Sequence, residues 1–322
     1  MCAYQVEGEQ TERARVVFMG TPAFALPTLE ALVRHHHVVG VVTQPDKEAG
    51  RGRVLTPPPV KTVACAYGLP VIQPKTLRDP EAVAHIRAWA PDVIVVAAFG
   101  QLLRPDVLEI PPHGCLNVHA SLLPKYRGAA PIAAAILAGD AVTGVTIMRI
   151  DPGLDSGPII AQRAEPIRPE DTAGTLSERL ARLGAELLIE VLPRWLAGTI
   201  QAVPQDDSAA TFAPRIRKED GRLDWTRPAV ELERKVRAFS PWPGTFTTLG
   251  GEVLHIRAAA LAEADASGEP GQVVALPGGR IGVVTGAGVL ELKEVQLAGK
   301  RAMGAADFAR GRRDFIGARL GQ

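Results

Sequence analysis

The sequence has few cysteines, almost no net charge and no long hydrophobic run. Its three cysteines, Cys2, Cys65 and Cys115, form no C-x-x-C pair, which argues against a disulfide framework or a zinc site and favours reduced thiols. The formal net charge is +1, so no strong overall field attracts nucleic acid or membrane, and any basic surface must be local. No stretch approaches the ~20 apolar residues that a membrane helix requires. We therefore expect a soluble cytoplasmic protein.

Signals for three other kinds of function are also missing. The stretch MGTPAFALP at 19–27 lacks the glycines of a G-x-G-x-x-G fingerprint, and no P-loop is present, which argues against a dehydrogenase or a nucleotide hydrolase. The run HHH at 35–37 has no acid cluster beside it, and adjacent side chains point in different directions, so we expect no metal site. Residues 1–14 are polar and lack the apolar core of a secretory signal, so we predict a flexible tail.

What the sequence does contain is a regular alternation of apolar strands and helical patterns. The chain has 322 residues, 46% of them hydrophobic, which is enough for two domains of ordinary size. Strands that are apolar throughout and alternate with helices indicate a parallel sheet. For residues 15–200 we predict an α/β domain with an open, mostly parallel, Rossmann-like sheet and helices on both faces. A Gly- and Asp-rich turn between two apolar runs predicts an antiparallel hairpin at one end of that sheet.

The pattern changes in the last third of the chain. Residues 201–219 lack sustained periodicity and are rich in small and polar residues, so we predict an interdomain linker there. After one helical stretch, short strands with glycine turns follow, and this spacing predicts a small antiparallel, OB-like β-barrel over residues 220–322.

An amide and an imidazole stand two residues apart at the end of the fifth predicted strand. Asn117 and His119 lie where that strand runs into a loop, and ligands bind open parallel sheets outside the carboxyl ends of their strands. An Asn amide can donate to an oxyanion, and a His can move a proton or stabilise the same charge. The pair therefore suits transfer of an acyl group. The structural alternative is a hydrogen-bonded His and an Asn that caps a turn.

A carboxylate is expected to orient such a His and to stabilise its charge. Asp151 and Asp155 in the predicted hairpin turn are the candidates, and we choose Asp155. The alternative is again structural, because an Asp in a Gly-rich turn commonly bonds its own backbone. The occurrence of Asn117, His119 and Asp155 at the expected loops favours the catalytic interpretation of all three.

Two motifs carry a resemblance to a known family. NVHASLLPKYRGAAPI at 117–132 and DPGLDSG at 151–157 resemble the signature of the folate-dependent formyltransferases. QPDKEAGRGR at 44–53, with PPPVK and the tail domain, resembles the branch of that family that acts on methionyl-tRNA, over residues 15–322. The resemblance implies transfer of formyl from 10-formyltetrahydrofolate to the α-amine of initiator methionyl-tRNA. It places catalysis on Asn117, His119 and Asp155, and folate contacts on Ser121, Leu122, Leu123 and Pro124.

A long loop at 44–61 raises the question of a second, larger substrate. By composition alone it fits a solvated loop. The resemblance implies that it enters the tRNA acceptor arm, with glycines that allow close backbone approach and an arginine that reaches a base edge or phosphate. This sequence has EAGRG where PAGRG is commoner in the family, and the substitution leaves the arginine and both glycines in place. The predicted tRNA contacts are Gly50, Arg51, Gly52, Arg53 and Lys61.

Other functions remain open at this point. The same active site could formylate a sugar nucleotide or glycinamide ribonucleotide, or hydrolyse 10-formyltetrahydrofolate. A different class is a non-catalytic RNA-binding protein. The loop at 44–61 and the tail domain argue against the first group, and the presence of Asn117, His119 and Asp155 argues against the second. We expect a monomer.

Overall fold

The structure is a computed structural model that describes residues 13–49, 54–263 and 267–321. The strands within these residues are β1 (Arg15–Gly20), β2 (His37–Val42), β3 (Lys47–Ala49), β4 (Val54–Thr56), β5 (Val71–Ile72), β6 (Val93–Ala97), β7 (Cys115–His119), β8 (Arg127–Gly128), β9 (Val142–Arg149), β10 (Ile159–Pro166), β11 (Phe212–Ala213), β12 (Thr245–Leu249), β13 (Glu252–Leu261), β14 (Val273–Leu276), β15 (Arg280–Val284), β16 (Val289–Leu297) and β17 (Met303–Gly304). The α-helices of the same residues are α1 (Leu26–His35), α2 (Pro59–Ala66), α3 (Pro80–Ala88), α4 (Pro105–Leu108), α5 (Pro131–Ala138), α6 (Ala173–Leu196), α7 (Ala229–Ala238) and α8 (Ala305–Gly311). Among these helices, none is long and apolar enough to cross a membrane.

A seven-stranded, mostly parallel sheet forms the first part of the chain. Its strand order is β10-β9-β7-β6-β1-β2-β5. The pairs β1–β2, β1–β6, β2–β5 and β6–β7 are parallel, and β7–β9 is antiparallel. The predicted α/β class is therefore confirmed, and β9 and β10 lie at the edge where the hairpin was expected.

The apolar strands of this sheet explain why it forms. All five residues of β6 and the last five of β1 are buried, as expected for parallel strands that have neighbours on both faces. The helices between them begin in the expected way: α3 starts at Pro80, and the Asp79 side chain accepts a hydrogen bond from the Glu81 amide at 3.0 Å. Such a cap satisfies one of the free N–H groups at the helix start.

Close packing holds β7, the strand on which the candidate site lies. Helix α6 approaches it at Gly184, where an added Cβ would lie 2.6 Å from Val118 Cγ1 and 3.2 Å from Val145 Cγ1. A glycine is needed at that point because any side chain would push the helix away from the strands. The backbone of β7 is therefore fixed from behind.

An antiparallel sheet forms the second part of the chain. Its strands follow the order β12-β13-β16-β15-β14, and β17 pairs with β16. All of these pairings are antiparallel, which confirms the predicted antiparallel β domain. Its core contains residues from the strands together with α7 and α8, among them Leu232, Leu254, Val295 and Phe308.

The described chain divides into two compact units. The first contains the residues up to Arg127, Gly144–Glu165 and Glu178–Thr211, and the second contains Gly128–Thr143, Pro166–Ser177 and the residues from Phe212 on. Two short segments of the predicted catalytic domain are thus grouped with the second unit, where α5 packs against α7. The domain boundaries 1–14, 15–200, 201–219 and 220–322 stay a prediction.

The predicted linker has local structure. Residues 207–209 and 219–221 form 3-10 turns, and β11 between them pairs with β8. These elements are too short to produce the periodicity that identifies a helix or strand in a sequence. This segment also supplies Gln205, whose side chain donates a hydrogen bond to the Asp155 carbonyl.

Candidate active site

Strand β7 presents Asn117 and His119 on one face. The two residues are separated by one position, and side chains two apart on a strand point the same way. In the antiparallel pairing with β9, Asn117 lies opposite Met148 and His119 opposite Thr146. His119 is buried, whereas Asn117 is partly exposed. The strand therefore places an amide and an imidazole side by side at the end of the parallel part of the sheet.

Asp155 completes a group of three polar side chains. It lies in the turn between β9 and β10, and its Oδ1 accepts a hydrogen bond from Asn117 Nδ2 at 3.4 Å. Its Oδ2 is 3.8 Å from His119 Nδ1. The structure thus brings together the three residues for which the sequence predicts catalysis. Asp151, the other candidate, bonds Ser156 and the Gly153 amide within the turn.

The backbone of Asp155 is in an unusual conformation. Its φ is +49°, a left-handed value that residues with a side chain seldom adopt and that is found preferentially at functional sites. Asn and Asp tolerate it better than other residues. The surrounding structure must hold this turn, because the conformation is unfavourable by itself.

The orientation of His119 follows from its second nitrogen. Nε2 is 2.8 Å from the carbonyl oxygen of Tyr126. A carbonyl only accepts hydrogen bonds, so Nε2 carries the proton and donates it. Nδ1 is therefore the nitrogen that faces Asp155 and that can gain or release a proton in the site.

The predicted folate segment has its backbone held by two neighbouring side chains. Thr146 Oγ1 donates to the Ser121 carbonyl at 2.6 Å and accepts from the Leu123 amide at 3.1 Å. Gln162 Nε2 donates to the Leu123 carbonyl at 2.9 Å. Because Thr146 is completely buried, these bonds are shielded from water. The segment from Ser121 to Pro124 is consequently a fixed surface.

Not every member of that segment is accessible to a ligand. The Ser121 hydroxyl is buried and bonds the backbone of Tyr126, to whose carbonyl it donates at 3.1 Å and from whose amide it accepts at 3.0 Å. Leu123 is also buried, whereas Leu122 and Pro124 are partly exposed. If folate contacts this segment, the side chains that it meets are those of Leu122 and Pro124.

Most of the predicted tRNA contacts fall outside the described residues. The structure does not describe four of the five: Gly50, Arg51, Gly52 and Arg53. The hairpin of β3 and β4 precedes and follows them, with Lys47 opposite Thr56 and Ala49 opposite Val54.

Lys61, the remaining predicted tRNA contact, lies at the base of this loop. Its Nζ bonds both carboxylate oxygens of Asp46, at 2.7 and 2.9 Å. Gln73 also donates to Asp46, at 2.7 Å. These bonds, from Gln73 first and Lys61 second, hold the pKa of the Asp46 carboxyl below its ordinary value because they stabilise the charged form. Asp46 immediately precedes β3, and Lys61 lies at the other end of the loop. The bonds between Lys61 and Asp46 therefore join the two ends of the loop.

Sequence reasoning missed the residues that support the site through the backbone. Tyr126 acts through its carbonyl, and Thr146 and Gln162 act on the Ser121–Pro124 backbone. A carbonyl contact has no residue preference, and Thr146 and Gln162 follow an ordinary strand pattern. Tyr126 does lie within the motif NVHASLLPKYRGAAPI, which was the only available signal.

The three adjacent histidines at 35–37 are part of the secondary structure. His35 ends α1 and His37 begins β2. Burial lowers the pKa of His36, which favours its neutral form. In residues 13–49, 54–263 and 267–321, no group of three or more His, Cys, Asp or Glu side chains could hold a metal ion.

The two described cysteines are predicted to differ in reactivity. Cys115 is buried on β7, and burial raises the pKa of its thiol to about 12, whereas Cys65 is exposed. Only thiolates react rapidly with disulfide reagents. We expect the Cys2→Ser/Cys65→Ser variant to show no fast thiol titration at pH 8 in the native state and one thiol after unfolding. A fast reaction of the native variant would contradict the burial of Cys115.

Comparison with known proteins places this chain in a family. A model of the formyl transferase family matches residues 14–192, and a model of the formyl transferase C-terminal domain matches residues 215–313. The methionyl-tRNA formyltransferase of Chloroflexus aggregans is 55% identical over 299 residues, which cover 92% of this chain and 97% of that protein. That of Myxococcus xanthus is 52% identical over 299 residues, or 93% of this chain and 95% of that protein.

Solved structures show the same fold at lower identity. HypX from Aquifex aeolicus in complex with tetrahydrofolic acid has a TM-score of 0.63 at 19% identity. The matched region covers 92% of this chain and 47% of the HypX chain. An N-formyltransferase from Helicobacter canadensis, in complex with folinic acid and dTDP-3-aminofucose, has a TM-score of 0.64 at 19% identity. The matched region covers 89% of this chain and 100% of the Helicobacter chain. The two domain matches and the identity to these methionyl-tRNA formyltransferases show that the chain belongs to the formyltransferase family.

Proposed function

We propose that this enzyme transfers the formyl group of 10-formyltetrahydrofolate to the α-amine of initiator methionyl-tRNA, which gives N-formylmethionyl-tRNA for translation initiation. The observation that carries the proposal is the convergence of Asn117, His119 and Asp155 at the end of β7, in a chain that is 55% identical over 299 residues to a methionyl-tRNA formyltransferase. A cytoplasmic location and a monomeric state are part of the same proposal.

The Ser121–Pro124 segment is proposed to bind the folate donor. Its backbone is held by Thr146 and Gln162, and its accessible side chains, Leu122 and Pro124, are apolar. A fixed apolar surface suits one face of a flat ring system, because burial of both surfaces removes apolar area from water. Since this segment directly follows β7, the bound donor lies next to Asn117 and His119.

The nucleophile needs little activation by the protein. A free α-amine has a pKa of about 7.7, so roughly a sixth of it is already neutral at pH 7, and an esterified amino acid is more so. Direct attack of this amine on the formyl carbon therefore requires no covalent enzyme intermediate. The protein must instead stabilise the negative charge that develops on the formyl oxygen. It must also take a proton from the attacking amine, which becomes positively charged, and give one to the folate nitrogen as the bond from that nitrogen to the formyl carbon breaks.

Asn117 and His119 can meet these demands. The Asn117 amide is a neutral hydrogen-bond donor, and the protonated Nδ1 of His119 is a positively charged one. Hydrogen-bond donors aimed at a developing oxyanion are usually the largest single contribution to such catalysis. Asp155 lies 3.8 Å from Nδ1, so its carboxylate stabilises the charged imidazole. The Nε2 bond to Tyr126 keeps the ring in place during proton transfer.

The acceptor is proposed to bind through the 44–61 loop and the domain at 220–322. Arg51, with Gly50, Gly52 and Arg53, would contact the acceptor arm, and Lys61 would contact it or hold the loop through Asp46. The bonds of Lys61 to Asp46 favour the second of these roles in the free enzyme.

Replacing Arg51 tests the role of the loop. We expect Arg51→Leu to raise the KM for methionyl-tRNA by on the order of 10-fold or more, because a good side-chain contact to nucleic acid contributes about 1–3 kcal/mol, while the Kd for folate stays unchanged. Arg34→Leu, which removes an exposed charge at the end of α1, is the matched control and is expected to leave both constants unchanged. Equal damage to folate and tRNA binding by Arg51→Leu would contradict a specific tRNA contact.

An acceptor comparison tests the proposed function itself. Labelled 10-formyltetrahydrofolate is supplied with initiator methionyl-tRNA, elongator methionyl-tRNA, free methionine, an amino-sugar nucleotide or glycinamide ribonucleotide. The proposal predicts rapid formylation of initiator methionyl-tRNA and slow or no formylation of the others. Preferential formylation of a sugar nucleotide or ribonucleotide, or release of formate without any formylated product, would replace it with one of the alternative activities.

A further inference from the structure

The turn that carries Asp155 is held by a side chain from the predicted linker. Gln205 Nε2 donates to the Asp155 carbonyl at 2.8 Å and to the Gly157 carbonyl at 2.7 Å. A side-chain amide has two N–H groups, so one amide can bond both carbonyls and fix the backbone on either side of Ser156. This is the backbone that adopts the left-handed φ of +49° at Asp155.

The orientation of the Gln205 amide is itself fixed by Arg127. Arg127 Nε and Nη2 donate to Gln205 Oε1 at 3.1 and 2.9 Å. If the amide were rotated by half a turn, its N–H groups would face those of the guanidinium, and the two carbonyls would face the amide oxygen. Arg127 therefore determines that Gln205 presents donors to the Asp155 turn.

Arg127 is well suited to this task. Its side chain is only 7% exposed, and Nη2 also bonds Asp207 Oδ1 at 2.7 Å, which stabilises its charge. It directly follows Tyr126, whose carbonyl accepts from His119 Nε2. The same short segment thus fixes His119 from one side and, through Gln205, the Asp155 turn from the other.

We propose that Arg127 and Gln205 form a relay that positions the Asp155 carboxylate against Asn117 and His119. Neither residue needs to touch a substrate, so both are positioning residues. The inference rests on the proposed function for its kinetic test, because formyl transfer is the reaction that the position of Asp155 would affect. A purely structural role for the relay would instead stabilise the fold without a specific link to Asp155.

A double-mutant experiment separates these two roles. Gln205→Leu has a similar size and no hydrogen-bonding groups, and we expect it to lower kcat for methionyl-tRNA formylation by on the order of 10²-fold, because a misplacement of about 1 Å has an effect of this size. The KM for 10-formyltetrahydrofolate is expected to stay close to that of the wild type. The unfolding temperature is expected to fall with or without Asp155, because the Arg127 guanidinium and the two carbonyls lose a partner, so the kcat loss that depends on Asp155 is the readout of the relay. In an Asp155→Ala background, Gln205→Leu should cause no further loss, because residues that act through one group are not additive.

Two further variants complete the experiment. Gln201→Leu, at an exposed glutamine four positions earlier, is the matched control and should have wild-type kcat. Arg127→Lys keeps the charge near Asp207 but cannot make the paired hydrogen bonds to Gln205. It should therefore lower kcat when Asp155 is present and cause no further loss in the Asp155→Ala variant. A wild-type kcat for Gln205→Leu, or the same fold-loss with and without Asp155, would overturn the relay.

A structural measurement keeps the test independent of the acceptor. If the wild-type protein does not formylate methionyl-tRNA, the proposed function fails, and a crystal structure of Gln205→Leu still decides the relay. The relay predicts that the Asp155 turn leaves its left-handed conformation and that its carboxylate moves away from Asn117 and His119. An unchanged turn in that variant would overturn it.

Discussion

Asp155→Asn is expected to lower kcat by on the order of 10² to 10⁴, the range in which loss of a positioned acid–base group falls. The substitution is well matched, because Asn has the same shape and is among the few residues that tolerate the left-handed φ of +49°. The turn should therefore be retained, and only the negative charge beside His119 Nδ1 is lost. Without that charge, the protonated imidazole is no longer stabilised 3.8 Å away.

The measurement for Asp155→Asn is steady-state kinetics with saturating methionyl-tRNA. We expect the KM for 10-formyltetrahydrofolate to remain close to the wild-type value, because Asp155 is not assigned to donor binding. A structural Asp that only shapes its turn would be replaced by Asn with little effect. An unchanged kcat would therefore return Asp155 to a structural role and would remove the explanation for its approach to His119.

Asn117→Ala is expected to lower kcat by about 10² to 10³, the effect of removing one oxyanion donor. Asn117 is partly exposed on β7, and its side-chain partner is Asp155 at 3.4 Å, so truncation should cause little change in stability. Asn117→Asp is the sharper companion, because it keeps the shape but places a negative charge where negative charge must develop. It should be at least as slow as Asn117→Ala.

Single-turnover kinetics on both Asn117 variants separate chemistry from binding. The account requires that the rate of formyl transfer falls and that the affinity for donor and acceptor changes little. A near wild-type rate for Asn117→Ala would show that the oxyanion is stabilised by other groups, and a loss confined to donor affinity would make Asn117 a folate contact.

Much of the first unit could be predicted because its signals are local. The uninterrupted apolar runs of β1 and β6 indicate strands buried on both faces, and that burial is present. The end of β7 could then be selected as a site, since parallel strands leave their carboxyl ends open to ligands. The approach of Asp155 followed from the expected hairpin, and the 3.4 Å contact to Asn117 agrees with it.

The supporting residues could not be predicted, for physical reasons. Gln205 lies in a segment without periodicity, and it acts on backbone carbonyls 48 and 50 positions away. Hydrogen bonds to the backbone place no demand on the type of residue that receives them, so they leave no pattern in the sequence. The engagement of Ser121 with Tyr126 could not be seen for the same reason.

The most direct test of the account follows labelled formyl through one turnover. Excess enzyme is mixed with 10-formyltetrahydrofolate carrying a labelled formyl group and with methionyl initiator tRNA, and the reaction is quenched at successive times. A parallel reaction uses tRNA whose methionine amine is acetylated. The account predicts that label leaves folate and appears on the methionine amine at one rate, with none bound to protein and none transferred to the blocked tRNA. Loss of label from folate without N-formylmethionine, or transfer to the blocked acceptor, would contradict it.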